Sequence, residues 1–330
     1  MLKSLFKQVI FRPQQGKLPP LGPADGSPYY TYEETVRRLT ARAQELRGSR
    51  YLGYPYFVHV ETLASCNAAC VFCPYPGLAR KGTRMSDELI EKIVQDLTAI
   101  PKDLPFTFAP YKVSEPFLEV RLFGIMDLVA RKLPGAKIYL SSNAAPMTDS
   151  KMDGLALQKN VGVLNLSINS DDPDEYETVM KLPFHRTFQR LEALHERARS
   201  GAYGFPIRLT RVAGGRAADE RFTRWVQRNF PSFESLIIPR NDWIGSAVTP
   251  GAHDIVPDAP CHRWFDLSIL ATGEVAMCCM DGEGKYLKGD VRVQHALEIY
   301  NQPPLIKMRR GLPSRRVSAD PCSRCTYVSW

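Results

Sequence analysis

The eight cysteines of this chain fall into two separate groups, and no other feature of the sequence constrains the fold as much. Three lie together as Cys66-x3-Cys70-x2-Cys73, five lie beyond residue 260, and no cysteine lies between Cys73 and Cys261. In a chain without a secretion signal, cysteines serve metal binding or catalysis more often than disulfides. The grouping therefore predicts two metal sites in two separate regions.

Composition and charge exclude several classes of protein. The chain has 330 residues, 44% hydrophobic and 24% charged, which predicts one large domain with an appendage, or two domains. No apolar run approaches the roughly 20 residues of a membrane helix, and the basic start, residues 1–12, lacks a cleavage site. We therefore expect a cytoplasmic protein with no membrane partner. The net charge of +8 includes one dense basic cluster, Lys307–Arg316, which predicts a solvated face or a tail over an anionic site rather than nucleic-acid binding.

Strand and helix patterns alternate through the middle of the chain. Apolar, β-branched segments are followed by amphipathic ones, beginning with a strand at Tyr56–Leu63 and a helix capped by Ser86. This alternation predicts parallel β-α units, and six units favour an α/β fold with an open, partial (β/α)6 TIM-like barrel. The first cysteine group follows the first strand, at the sheet edge where active sites of such folds lie. The six predicted strands are 56–63, 106–109, 137–142, 161–169, 207–212 and 235–239.

The alternation of strand and helix patterns is confined to the barrel region, which is predicted to span residues 56–245. Residues 1–55 are predicted to form an arm on the barrel, with one helix at Tyr32–Leu46. Residues 246–330 predict a small domain with a hairpin that turns at 271–274 and a short helix at His295–Tyr300. Because this domain has little regular structure, a bound metal would stabilise it.

The first cysteine group offers three closely spaced thiolates. Soft sulfur ligands select zinc, copper(I) or iron-sulfur centres. A structural zinc ion needs four closed ligands, yet the loop contains three cysteines and no histidine. Three thiolates with one open position favour an iron-sulfur cluster that binds a further ligand.

The segment Glu61–Pro74, ETLASCNAACVFCP, resembles the E-x-x-x-x-C-N-x-x-C-x-F-C-P signature of the radical S-adenosylmethionine (SAM) enzymes. Further segments resemble motifs of that family: Ser114–Leu118 the G-G-E-P-L motif, Ser141–Ala144 the S-T-N-G segment, and Leu166–Asn169 the motif of the fourth strand. Val113 and Ser114 replace both glycines of the G-G-E-P motif. The resemblance covers residues 56–330 and implies SAM-binding roles for Glu115, Ser141, Asn143, Ser167, Asn169 and Arg211.

The resemblance also implies the chemistry. Cys66, Cys70 and Cys73 would hold a [4Fe-4S] cluster whose fourth iron binds SAM. An electron from a flavodoxin- or ferredoxin-type donor would then cleave SAM and yield a 5′-deoxyadenosyl radical. The protein would position the substrate C–H group and exclude water.

Four thiolates of the second group, Cys261, Cys278, Cys322 and Cys325, suit a closed site that holds zinc or an iron-sulfur cluster. Their spacing resembles the twitch form of the SPASM extension of radical SAM enzymes, which implies a second, auxiliary [4Fe-4S] cluster. Cys279 remains. Side chains alternate along a strand, so only one of Cys278 and Cys279 easily reaches the metal. Cys279 is read either as a small buried hydrophobe or as a hydrogen-atom donor.

The predicted activity is hydrogen abstraction from a small polar substrate. Within this family, a chain with a single auxiliary cluster resembles the dehydrogenases, epimerases and decarboxylases that act on sugars, aminocyclitols or nucleosides in antibiotic biosynthesis. Two-electron oxidation of an alcohol is the leading prediction. The alternatives are epimerisation, decarboxylation of a sugar acid such as a cytosylglucuronate-type substrate, and modification of a ribosomal peptide. A further alternative is a metal-stabilised binding protein without catalysis. Arg208 and Arg211 on the fifth strand are predicted to point into the barrel or to lie at the surface.

Overall fold

The computed structural model describes residues 32–247 and 255–328, and within them nine strands form one sheet in the order β6-β5-β4-β3-β2-β1-β7-β8-β9. Strands β1 to β6 pair in parallel and do not close, so the predicted partial barrel is confirmed. The strands are β1 (Phe57–Val60), β2 (Phe106–Ala109), β3 (Ala136–Ser142), β4 (Val161–Ser167), β5 (Ile207–Val212), β6 (Glu234–Ile238), β7 (Asp266–Ile269), β8 (Glu274–Ala276) and β9 (Leu287–Asp290).

Nine helices accompany the sheet in the described part of the chain. The helices predicted from periodicity, at 32–46, after Ser86, and at 118–133, 187–200, 217–229 and 295–300, are present within a few residues of those bounds, whereas α4, α5 and α9 were not predicted. The helices are α1 (Tyr32–Arg47), α2 (Asp87–Leu97), α3 (Leu122–Lys132), α4 (Asp149–Ala156), α5 (Pro173–Met180), α6 (Phe184–Arg199), α7 (Arg216–Asn229), α8 (Ala296–Tyr300) and α9 (Pro303–Gly311). None of these helices combines the length and the apolar composition that crossing a bilayer requires.

The alternation of side chains along the strands creates two faces. On β1, Val58 and Val60 are buried in the main hydrophobic core, which also contains the inner face of α2. Phe57 and His59 therefore point to the opposite, concave face. The same alternation on β3 directs Tyr139 to that concave face, where its ring meets Phe57 edge-on at 5.5 Å between centroids. We call the space along this concave face the lumen.

The C-terminal domain continues the barrel sheet. Strand β7 pairs in parallel with β1, and β8 and β9 follow in antiparallel order. The hairpin predicted to turn at 271–274 is confirmed, and Gly273 takes the positive φ of +92° that its turn requires. The C-terminal domain is thereby joined to the first barrel strand.

Helix α1 packs on the C-terminal domain. Its Leu46 shares a small core with Trp264 and Phe265, and its Arg42 lies over the ring of Tyr56, beside the first barrel strand. Apolar burial against two aromatic side chains explains this placement. The arm that residues 1–55 are expected to form on the barrel stays a prediction. The rest of the predicted arm, residues 1–31, and part of the linker, residues 248–254, lie outside the described residues.

Candidate metal centres and active site

The three cysteines of the first group lie in the loop between β1 and α2, at the carboxyl edge of the parallel strands. Burial raises the pKa of the Cys66 thiol to about 12 and that of Cys73 to about 11. The pKa of Cys70 is also raised, first by burial and then by the nearby Cys73 and Cys66 thiolates. Three close thiols that ionise reluctantly without a positive charge fit a shared metal centre.

Glu61, the first residue of the signature, fastens the base of this loop. It is fully buried, and its carboxylate accepts two hydrogen bonds from Arg80 at 2.6 and 3.0 Å. It also accepts the backbone N–H groups of Val113 and Ala271, both at 3.2 Å. One carboxylate thus connects β1, the loop after β2 and the C-terminal hairpin. The sequence pattern contained Glu61 but did not indicate this role.

Asn143 and Glu115 connect β3 to the cysteine loop. The Asn143 amide donates to Asn67 Oδ1 at 2.8 Å and lies 3.9 Å from the Cys66 sulfur. The Glu115 carboxylate accepts the Asn143 backbone N–H at 2.7 Å and the Ser142 hydroxyl at 2.8 Å. Burial raises the pKa of Glu115 to about 7 despite these donors. Glu115 therefore orders the residues beside the first cysteine group.

Ser167, at the end of β4, and Asn169 are linked to the same cysteine loop by Met180 of α5. The Asn169 amide donates to the Ser167 hydroxyl at 2.8 Å and contacts the Met180 sulfur at 3.0 Å. Met180 lies 3.6 Å from the Cys70 sulfur, and its carbonyl accepts the Ala69 N–H. Helix α5 is therefore packed directly against the cysteine loop. Ser141 faces the lumen beside Tyr111 and lies outside this network.

The arginines of β5 were predicted to point into the barrel or to lie at the surface, and neither alternative describes Arg211. Three positions separate it from Arg208, so the two side chains leave opposite faces of the strand. Arg211 is buried on the helix side, where it pairs with Asp219 at 2.9 Å and with Glu175 at 2.8 Å. It also donates to the Asn169 carbonyl. Arg211 therefore positions Asn169, while Arg208 lies on the lumen face and pairs with Glu234 at 2.7 Å.

The second cysteine group surrounds one cavity in the C-terminal domain. Cys261, Cys278, Cys322 and Cys325 all line it, and Trp264 donates its indole N–H toward the Cys322 sulfur at 3.4 Å. Burial raises the pKa of Cys261 and of Cys322 to about 11. Four converging thiols, three of them buried, fit one metal cluster.

Arg315 supplies positive charge to this cavity. Its side chain is 1% exposed, and its Nη1 donates to the carbonyls of Tyr327 at 2.7 Å and Cys325 at 3.3 Å. Its Nε and Nη2 atoms have no hydrogen-bond partner among the described residues. Unsatisfied buried donors are costly, and an anionic cluster in the cavity would satisfy them. Arg315 belongs to the basic cluster at 307–316, one of whose two readings was a tail over an anionic site.

Cys279 faces away from this cavity. Its Sγ lies within 4.8 Å of a His59 nitrogen and of an Asp266 oxygen on the lumen side. Burial raises the pKa of the Cys279 thiol, whereas the nearby Arg263 and Lys112 lower it. Burial, together with Arg263 and Lys112, holds the pKa of His59 well below its usual range, so the ring is neutral. Only Cys278 of the pair lines the cavity, as predicted, but the two cysteines lie in a bend and a turn after β8 and not in the predicted strand.

Comparison with protein families decides the identity of this arrangement. The model of the radical SAM superfamily matches residues 60–212, and that of the SPASM iron-sulfur cluster-binding domain matches residues 261–326. This chain belongs to the radical SAM superfamily. Its cofactors are SAM, the [4Fe-4S] cluster that binds SAM, and an auxiliary cluster in the SPASM domain. The arrangement of the cysteines in both loops fits these groups.

Solved structures show the same fold. BtrN in complex with AdoMet and 2-DOIA matches with a TM-score of 0.59 and 16% identity, over 83% of this chain and 94% of BtrN. Streptococcus suis SuiB bound to the precursor peptide SuiA matches with a TM-score of 0.63 and 14% identity, over 91% and 76%. Native anSMEcpe with AdoMet and the Cp18Cys peptide matches with a TM-score of 0.53 and 15% identity, over 82% and 87%. No curated protein matches this radical SAM enzyme.

Proposed function

We propose that this radical SAM enzyme takes a hydrogen atom from a sugar or aminocyclitol carbon in natural-product, antibiotic-type biosynthesis, and that the net reaction oxidises a secondary alcohol to a ketone. The observation that carries the proposal is the polar lining of the lumen. Asn165 Oδ1 and Ser268 Oγ are buried there without a hydrogen-bond partner among the described residues. Substrate hydroxyl groups would satisfy such atoms.

Aromatic side chains complete this lining. Tyr139 is bonded by the Asn165 amide, and its ring lies between Phe57 and Tyr111 at centroid distances of 5.5 and 6.4 Å. Apolar ring faces beside a few fixed polar groups are typical of sites for small ligands. An alicyclic or sugar ring offers both the C–H faces and the hydroxyls that such a site binds.

The cysteines are assigned by their surroundings. Cys66, Cys70 and Cys73 would hold the SAM-binding cluster, and the four thiols around the C-terminal cavity would hold the auxiliary cluster. When bound, the first cluster with SAM would supply hydrogen-atom abstraction and the auxiliary cluster would accept one electron, while the hydroxyl proton leaves to solvent, which balances the oxidation of an alcohol to a ketone. Asn143 and Asn169 keep the first cysteine loop in place, and the lumen residues orient the reacting carbon. A flavodoxin- or ferredoxin-type protein would be the electron donor.

The likeness to BtrN supports this proposal, because the chain covers nearly all of BtrN and that structure contains 2-DOIA. Peptide modification is the second candidate, and it is favoured by the likeness to SuiB and anSMEcpe, whose structures contain peptides. Epimerisation and the decarboxylation of a sugar acid are alternative reactions that the same experiment tests. Cys279, near the lumen, is the thiol that epimerisation would use as hydrogen donor.

The experiment combines anaerobic reconstitution, SAM, a reductant and separate panels of aminocyclitols, sugar acids and peptides in D2O. The expected result is 5′-deoxyadenosine formed with an aminocyclitol product that has lost two hydrogen atoms. Deuterium incorporated without a change in oxidation state indicates epimerisation, and release of CO2 indicates decarboxylation. Turnover of peptides alone would overturn the proposal.

Two matched variants test the lumen. Tyr139→Phe removes one hydroxyl from the lumen, and we expect KM to rise about tenfold, the effect of one lost hydrogen bond. Tyr203→Phe removes a hydroxyl that bonds the Met152 carbonyl outside the lumen and should leave KM unchanged. Equal effects of the two substitutions would show that the substrate does not bind along Tyr139.

A further inference from the structure

Three potential metal ligands converge on the lumen where β1 and β7 lie side by side. The register of these strands pairs Phe57 with Asp266 and His59 with Ser268. Paired residues of neighbouring strands project to the same face of a sheet. Because Val58 and Leu267 are in the core, His59 and Asp266 face the lumen together.

Cys279 reaches the same point from the segment after β8. One His59 nitrogen, one Asp266 carboxylate oxygen and the Cys279 sulfur all lie within 4.8 Å of one another, and all three are buried. In tetrahedral coordination with metal–ligand bonds of about 2.0–2.3 Å, ligand atoms lie roughly 3.3–3.8 Å apart. Side-chain adjustments of about an ångström or less would therefore bring the three atoms to bonding distance.

A second observation indicates a missing ligand. His59 and Asp266 are 8% and 7% exposed, yet apart from the Tyr111 carbonyl beside the His59 ring, neither the His59 nitrogens nor Asp266 Oδ1 has a hydrogen-bond partner among the described residues. Asp266 Oδ2 accepts from Arg263 at 3.1 Å and keeps the carboxylate in place. The Tyr111 carbonyl lies beside the His59 ring, where it can accept the N–H of the nitrogen that does not bind metal. Such a carbonyl partner commonly orients histidine ligands.

The chemistry of the donors selects the class of metal. One imidazole, one carboxylate and one thiolate suit zinc and similar divalent transition metals, and the sulfur disfavours magnesium and calcium. We propose that His59, Asp266 and Cys279 bind one zinc-type ion in the lumen, separate from both iron-sulfur sites. Three protein ligands leave a fourth position for an oxygen ligand, either water or a substrate hydroxyl.

Local charge is compatible with such an ion. Arg263 and Lys112 oppose a cation, and Lys112 is bonded to the Asp281 carbonyl. The carboxylate and thiolate ligands would balance the two charges of the ion, and the four thiolates of the neighbouring cavity add further negative charge. Cys278 and Cys279 would then serve adjacent sites from opposite sides of one backbone segment. This site does not depend on the proposed reaction.

Zinc content and coordination test the proposal without any activity measurement. The protein is reconstituted with iron and sulfide, incubated with zinc, desalted, and analysed for both metals and by X-ray absorption at the zinc edge. We expect about one zinc per chain, bound by one sulfur and by lighter ligands. Wild-type protein without zinc would overturn the proposal. Zinc with four sulfur ligands would also overturn it, because that ion would occupy the C-terminal cavity.

Two histidine variants provide the matched comparison. His59→Phe keeps the aromatic stacking with Phe57, 4.2 Å between centroids, and should lose the zinc while iron content is unchanged. His195→Phe changes a buried histidine that packs on Phe230 and Phe233, and it should keep the zinc. If His59→Phe does not fold, the Asp266→Asn variant tests the site instead and should lose the zinc. Retention of one zinc per chain in the folded Asp266→Asn protein would refute the site.

Discussion

Arg315 should raise the reduction potential of the auxiliary cluster. Arg315→Met replaces a buried guanidinium with an uncharged side chain of similar length. The guanidinium Nη1 is 3.9 Å from the Cys325 sulfur, which places it about 6 Å from the centre of a bound cluster. At that distance and an effective dielectric constant of about 20, one charge contributes about 3 kcal/mol. Since 59 mV corresponds to a tenfold change in a one-electron equilibrium, the potential should fall by about 120 mV.

The assay requires that only one cluster is titrated. A background with alanine at Cys66, Cys70 and Cys73 removes the proposed ligands of the SAM-binding cluster. The auxiliary cluster is then followed by electron paramagnetic resonance during redox titration. Iron content must be equal in all samples, so that a shift reports electrostatics and not loss of the cluster.

Two controls separate charge from structure. Arg315→Lys keeps the charge and should remain close to the wild-type potential. Arg316→Met removes a neighbouring charge whose side chain is 46% exposed, and solvent screening should reduce its effect to about 20 mV or less. A potential for Arg315→Met within that same range, at full iron content, would refute the electrostatic argument.

Three further results are expected. Leu97→Ala, at a fully buried position, should lower the free energy of unfolding by about 2–5 kcal/mol in urea titrations, whereas Leu157→Ala, at a position 78% exposed, should change it by less than about 0.5 kcal/mol. Arg80→Met should destabilise the protein by about 3–5 kcal/mol, because the buried Glu61 carboxylate loses its cation, and adding Glu61→Gln should recover part of that loss; no recovery would contradict the pairing. Met180→Ala should speed the loss of iron to a chelator, because it removes the thioether that packs on the Cys70 sulfur, although the backbone bonds of α5 to the loop remain; an unchanged rate would contradict a role for that side chain.

The local patterns of the chain were enough to predict most of the barrel. Apolar, β-branched segments identified the six strands, and Ser86 followed by acidic residues correctly marked the start of α2, where the serine caps the Leu89 N–H. The hairpin at Gly273 was predictable because its turn depends on adjacent residues. Helix α5 was not predicted, because it is short and its packing on the cysteine loop through Met180 leaves no periodic signal.

Contacts between distant segments required the tertiary structure. Glu61 meets Ala271 across more than two hundred residues, and no pattern in either segment indicates the other. The direction of Arg211 depended on the strand alternation and on the acceptors Asp219 and Glu175, which identify its face. The sequence showed Arg315 only as one of several basic residues in the cluster 307–316, and nothing in that cluster singled it out as the residue that lies beside the cysteines.

The sequence by itself determined the chemistry available to this protein, because the spacing of cysteines in a loop after a strand is a local property that can be read directly from the residues. It identified the radical SAM resemblance and both groups of candidate ligands. Only the tertiary structure decided which residues share a site. His59, Asp266 and Cys279 come from three separate segments. The first two face one lumen because β7 pairs with β1, and the segment after β8 brings Cys279 to the same point. Strand pairing of this kind is a long-range choice made by the packing of the whole sheet.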